Sequence, residues 1–158
     1  MDLTFKTPEG NFNHRAVGIF IHNGKVLVMQ DEKLTYAYLP GGRISLCESS
    51  EEAIRREMCE ELETKVKVKR LLWIAESFFT ESKSGKRFHE VAFYYLLQPS
   101  DDLLQRGETF ELSEGEKHHF IFRWVSFEEL QTLDFQPALL KKRFSDLPEQ
   151  IEHIVMTE

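Results

Sequence analysis

The chain is short of the features that would place it in several large classes. Its two cysteines, Cys47 and Cys59, are too few for a disulfide framework, so a reduced, cytoplasmic setting is expected. No apolar run approaches the roughly 18 residues of a membrane span. The opening MDLTFKTPEG has neither the basic start nor the apolar core of an export signal. A soluble protein away from membranes is the expectation. Positive charge is also scarce: 20 lysines and arginines face 27 acids, for a formal net charge of −7. Affinity for nucleic-acid polymers comes mainly from cationic side chains displacing counterions, so that class is disfavoured, whereas one nucleotide held by a local cation is not. No internal repeat, low-complexity tract or linker divides the 158 residues, and the length suits a single domain over 1–158.

What is present argues for a packed interior. Hydrophobic residues make up 41% of the chain, with 13 Phe among them, enough to exclude a disordered composition. In AVGIFIHNGKVLVMQ two β-branched, apolar runs flank Asn23-Gly24, the dipeptide that best accepts the positive φ angles of a tight hairpin turn. Paired strands are predicted over Arg15–His22 and Lys25–Gln30. The segment LPGGRISLCESS, with Pro40, Gly41 and Gly42, is predicted as a loop of unusual backbone freedom. Ser49 followed by Glu52 forms the pattern of a capping box and predicts a helix from about Ser50 to Leu62. VKVKRLLWIAESFF and RFHEVAFYYLLQ are expected as strands joined through TESKSGKR, and HHFIFRWVS as the last clear strand. SFEELQTL and QPALLKKRF are predicted as short helices, with Ser126 as a cap and Pro137 in a first turn. The order of elements indicates an α+β or mixed α/β fold.

Within the predicted helix, REMCEEL sets Glu57, Glu60 and Glu61 close together. With each residue turning about 100° and Ile54 at zero, Met58 and Leu62 fall near 40° and 80° and form the apolar stripe. Glu61 then lies only about 20° from Ile54, with Glu57 near 300° and Glu60 near 240°. The acids lean onto the shoulder of the buried face. A solvated charged face is the ordinary meaning of such a cluster, and exposed like charges at i, i+4 cost only ~0.2–0.5 kcal/mol. At a core edge, repulsion between two charges about 5 Å apart rises to roughly 3 kcal/mol at an effective dielectric near 20, and relief must come from protons or a cation. A hard divalent ion such as Mg²⁺ suits carboxylate oxygens and takes phosphate oxygens as further ligands. The glycine pair and the amino end of the helix favour the same use, although PGG alone is more often an ordinary turn.

From Gly42 to Thr64 the chain resembles the Nudix box, G-x5-E-x7-R-E-U-x-E-E-x-G-U with U apolar. Gly42, Glu48, Arg56, Glu57, Met58, Glu60 and Glu61 match at the required spacing, while Glu63 and Thr64 stand where the pattern has glycine and an apolar residue. The resemblance to the MutT-like Nudix hydrolases continues more loosely through the hairpin, FHEVAFYY and RWVSFEEL. It implies a Nudix fold, a mixed sheet between helices. It also implies Mg²⁺- or Mn²⁺-dependent hydrolysis of a nucleoside diphosphate linked to another group, such as ADP-ribose, a nucleotide sugar, a dinucleotide or a nucleoside triphosphate. In family terms Glu57, Glu60 and Glu61 hold metal, with a carbonyl of Gly41 or Gly42 as a further ligand. Arg56 orients the acids through Glu48, Arg43 is a candidate phosphate contact beside Gly41 and Gly42, and either Glu57 or Glu90 is the general base. A catalytically silent domain that senses a nucleotide or binds a partner is the alternative, and the exposed strands would permit a homodimer. Phe78, Phe79 and Trp124 are expected in the core rather than against a base.

Overall fold

The computed structural model describes residues 1–157. Its strands are β1 (Thr4–Lys6), β2 (Asn11–His22), β3 (Lys25–Asp31), β4 (Gly41–Arg43), β5 (Lys67–Thr80), β6 (Arg87–Gln98), β7 (Thr109–Glu114), β8 (His118–Ser126) and β9 (Glu152–Thr157). The helices are α1 (Ser50–Leu62), α2 (Asp101–Gln105) and α3 (Phe127–Thr132), followed by a 3-10 turn at Ala138–Lys142. The strands form one mixed sheet in the order β7-β8-β3-β2-β6-β5-β9, with β1 and β4 also pairing to β2. This is the α+β, mixed-sheet architecture expected of a Nudix fold.

β2 organises the sheet. It runs parallel to β6 from Asn11 opposite Phe88 to Phe20 opposite Leu97, and antiparallel to β1, β3 and β4 along successive parts of its length. The β2–β3 turn has Asn23 and Gly24 at φ 50° and 71°, the left-handed pair that a tight hairpin needs. Because strand side chains alternate, Ala16 and Phe20 of β2 pack with Ile54, Met58 and Leu62 of α1, while Val17 and Ile19 face a second core closed by Phe135, Leu140 and Phe144. The sheet is thus covered by α1 on one face and by α3 and the chain after it on the other.

α1 begins as its sequence dictates. The Ser49 side chain accepts from the Glu52 amide, and the Glu52 carboxylate accepts from the Ser49 amide at 2.9 Å. Its end departs from the family pattern without lengthening. Glu63 takes the left-handed conformation at φ 52°, ψ 38° that glycine usually supplies. Arg106 donates from Nη1 to the Leu62 carbonyl at 2.6 Å, so a cation from beyond α2 caps a last turn that has no basic residue of its own. Thr64, in place of an apolar residue, is buried, with its hydroxyl 2.8 Å from that of Ser100, the cap of α2.

Several expectations change. Gly41–Arg43 is not free loop but a strand opposite Arg15–Val17. A Cβ on Gly41 would lie 2.3 Å from the Ala16 carbonyl oxygen, so only glycine permits this approach of two backbones. The short helix expected in QPALLKKRF is of the 3-10 type, Ala138–Lys142, with Pro137 one residue before it rather than in its first turn. β8 is not the last strand, since β9 adds in parallel to β5. Phe79 and Trp124 are half-buried, but Phe78 is exposed, and its ring meets that of His89 at 4.6 Å at the end of the sheet.

Candidate active site

Helix phase and sheet register together bring the acids to β4. Glu60 lies nearest the solvent side of α1 and its side chain is 55% exposed, against 13% for Glu57. Glu61, closest to the apolar stripe, reaches the strand backbone and accepts from the Gly41 amide at 3.1 Å through Oε2. Glu57 lies directly over Gly42. A Cβ there would sit 2.2 Å from the Glu57 Cδ and 2.3 and 2.4 Å from its two oxygens. Glycine at this position leaves the Glu57 carboxylate the space a side chain would fill.

Arg56 binds the acids into one network. Its Nε and Nη2 donate to Glu48 Oε2 and Oε1 at 2.8 and 2.9 Å, a two-point grip on one carboxylate. Nη2 also donates to the Arg43 carbonyl at 3.0 Å, and Nη1 to Glu57 Oε1 and Glu60 Oε2 at 2.8 and 3.2 Å. The guanidinium holds the Glu48 carboxyl down near 2. Arg56 therefore joins α1, β4 and the loop between them.

Glu57 and Glu61 behave differently. Burial, and then the neighbouring Glu57 charge, push the Glu61 carboxyl up to about 8. Burial also raises Glu57, against the pull of Arg56. Two acids are held where ionisation is costly, beside the carbonyl-bearing strand Gly41–Gly42. Hard oxygen donors in a glycine cradle fit a divalent cation. Among the described residues, however, no three His, Cys, Asp or Glu side chains converge as a formed metal cluster. The acids turn instead to Arg56 and to the Gly41 amide.

Glu90 lies elsewhere. It pairs with Asn13 of β2 and Ser77 of β5, on the sheet face opposite α1, and no contact joins it to the helix acids. It shares that face with Arg15, which the sequence reading passed over. The available signal was the alternation in RAVGIFI, which puts an arginine in register with the buried Val17 and Ile19. Arg15 sits opposite Arg43 in β4 and Ala92 in β6. It is half-buried, and its charge favours ionisation of both Glu57 and Glu61. Arg43 is exposed and lines a cavity of about 270 Å³ with Lys6, Lys86, Asn13 and Phe88. A larger cavity, about 610 Å³, lies at the Phe12, Phe78 and His89 end of the sheet, and no α1 residue lines it. His118 and His119 are a surface pair, His119 meeting Glu111 at 3.1 Å, and Glu76 is engaged with His153.

The fold has many solved relatives. A MutT mutator protein of Bacillus halodurans superposes with a TM-score of 0.61 at 18% identity, over 92% of this chain and 89% of that one. A MutT protein of Methanosarcina mazei gives 0.59 at 17%, over 87% and 92%. An ADP-ribose pyrophosphatase of Streptococcus suis gives 0.57 at 19%, over 90% and 98%. No curated protein matches the chain in sequence. The NUDIX domain model matches residues 12–146, from the start of β2 through the covering segment that contains Phe135 and Phe144. With its box carried on α1 and β4, the chain belongs to the Nudix hydrolases, the family that cleaves pyrophosphate linkages.

Proposed function

We propose that the protein hydrolyses the pyrophosphate linkage of a nucleoside diphosphate joined to a second group, with Mg²⁺ or Mn²⁺ held by Glu57, Glu60 and Glu61 and by a carbonyl of Gly41 or Gly42. The supporting observation is the placement of Glu57 and Glu61. Two acids raised by burial stand at the glycine strand, the Glu57 carboxylate in the space a side chain at Gly42 would fill and Glu61 on the Gly41 amide. A bound divalent ion supplies charge neutralisation of the diphosphate and a lowered pKa for the attacking water. The chain's own residues do the rest. Arg56, fixed by Glu48, orients Glu57 and Glu60. Arg43 offers an exposed cation beside the glycines. Glu57 is engaged on Arg56, whereas the Glu90 carboxylate makes no hydrogen bond or ion pair among the described residues. The proton of the water passes to one of these two acids, Glu57 or Glu90, as general base.

Substrates of the ADP-ribose, nucleotide-sugar, dinucleotide and nucleoside-triphosphate types form the panel that tests this reading. The S. suis neighbour's description as an ADP-ribose pyrophosphatase puts ADP-ribose first in it. Mg²⁺-dependent release of a nucleoside monophosphate or of pyrophosphate is expected from at least one member. Glu57→Gln and Glu61→Gln should each lower the rate by about 10²-fold or more and weaken Mn²⁺ binding. Glu90→Gln decides between the two bases: a fall in kcat of about 10²–10⁴-fold with Mn²⁺ affinity retained assigns the role to Glu90, and an unchanged kcat assigns it to Glu57. Full activity after both helix substitutions would refute the assignment. Tight binding without turnover across the panel would replace it with a nucleotide sensor.

A further inference from the structure

The inference concerns Arg15 and rests on the function just proposed. A guanidinium in a half-buried strand position normally has a carboxylate or carbonyl partner, because removing a cation from water without one is costly. Arg15 makes no hydrogen bond or salt bridge among the described residues. Its neighbours across the sheet give it none: Arg43 repeats its charge and Ala92 has no polar side chain. It is also placed for a purpose that packing does not explain. The next two residues along its face, Val17 and Ile19, are buried apolar core. Arg15 is where that face changes from core to polar surface, with Asn13 and Glu90 beyond it.

Its register places it beside the glycine strand, since Arg15 pairs with Arg43 and the next residue, Ala16, pairs with Gly42, the glycine under the Glu57 carboxylate. Its charge reaches the carboxyls of Glu57 and Glu61 and the hydroxyls of Tyr36 and Tyr38, whose rings lie 6.2 Å apart. An anion bound against the acids through a divalent ion would leave further oxygens for a cation, and the half-buried Arg15, without a partner among the described residues, stands in register with the exposed Arg43.

We infer that Arg15 is a substrate-positioning residue that grips the phosphoryl oxygens of the diphosphate not taken by metal. Its fork can donate two parallel hydrogen bonds to one phosphate, which a lysine cannot reproduce. The competing account is electrostatic balance, in which Arg15 only offsets the acid charge of the metal-free site. The two accounts differ in what a neutral residue at this position changes.

Binding of methylenediphosphonate in saturating Mg²⁺, measured by calorimetry, separates them without requiring turnover. Arg15→Gln should weaken diphosphonate binding by about 10–100-fold, the usual worth of a charged hydrogen-bond pair. Arg15→Lys should recover part of that loss. Mn²⁺ affinity of the free protein, followed by electron paramagnetic resonance, should stay the same or tighten, since a nearby cation has been removed. The thermal midpoint should stay within about 3 °C of wild type. Equal diphosphonate affinity in wild type and Arg15→Gln, with tighter Mn²⁺ binding, would overturn the inference and leave the hydrolase reading intact. A wild-type protein that neither binds the diphosphonate nor turns over any panel substrate would overturn both.

Discussion

Gly42→Ala isolates the contact on which the site depends. The added methyl would lie 2.2 Å from the Glu57 Cδ, and carbon–carbon contact is comfortable only at ~3.5–4.0 Å. Something must retreat by roughly 1.5 Å. Gly42 is not in the left-handed region, so alanine fits its backbone, and the obstacle is the far end of a flexible side chain. The carboxylate should therefore move while the strand stays. Moving it breaks the 2.8 Å bond from Arg56 Nη1 and shifts the acid lodged over Gly42. Misplacement of a reacting or positioning group by about 1 Å costs on the order of 10²-fold in rate. Stability should fall by no more than about 2 kcal/mol, the worth of one charged hydrogen bond, or ~4–8 °C for a domain of this size. The assay is kcat/KM on the best panel substrate, with a Mg²⁺ titration and a thermal melt on the same sample. Full activity with unchanged Mg²⁺ dependence would refute the placement of Glu57. A collapse of the melt would refute the claim that the side chain yields before the backbone.

Other expectations follow from the same geometry. Glu63→Gly should stabilise the protein by ~0.5–1 kcal/mol in chemical denaturation, because glycine takes the left-handed cap without the Cβ penalty and gives back part of that in chain entropy. The Glu61 carboxyl is raised in the folded state to about 8, so folding of the metal-free protein retains a proton that the unfolded chain releases from about pH 4.5. This share of stability is present below pH 4.5 and lost as pH rises toward 8, so thermal midpoints in EDTA should fall across that window and fall less in excess Mg²⁺. Glu48→Ala removes the two-point partner of Arg56; activity should drop about 10-fold or more with the melt lowered by ~1–3 kcal/mol, and an unchanged rate would remove Arg56 from its orienting role.

α1 was legible from sequence because three independent signals agree on it: the Ser49 cap, the Ile54–Met58–Leu62 stripe and the spacing of the acids. β4 was not, because Gly41 and Gly42 carry no pattern and become strand only through their pairing with Ala16 and Val17. The five-residue α2 is too short for a period to emerge, although Ser100 caps it through the Leu103 amide. Arg106 could not be connected to the end of α1 from sequence, since that contact spans 44 positions and is made by the fold. Arg15 escaped for a related reason. A lone arginine at the head of an apolar strand gains meaning only when β4 and the helix acids are laid beside it.

The parallel pairing of β2 with β6 has a consequence for how the protein comes into being. Hairpins β2–β3 and β5–β6 join near neighbours and can form early, but Asn11 must wait for Phe88 and Phe20 for Leu97. The glycines, Glu48, Arg56 and the three helix acids all belong to the intervening stretch, enclosed by that long closure. During synthesis on a ribosome, every helix acid emerges well before the strand that completes the floor beneath them. Hydrolytic competence is thus a late acquisition, reached only once the chain has been made through Gln98 and the two strands have met.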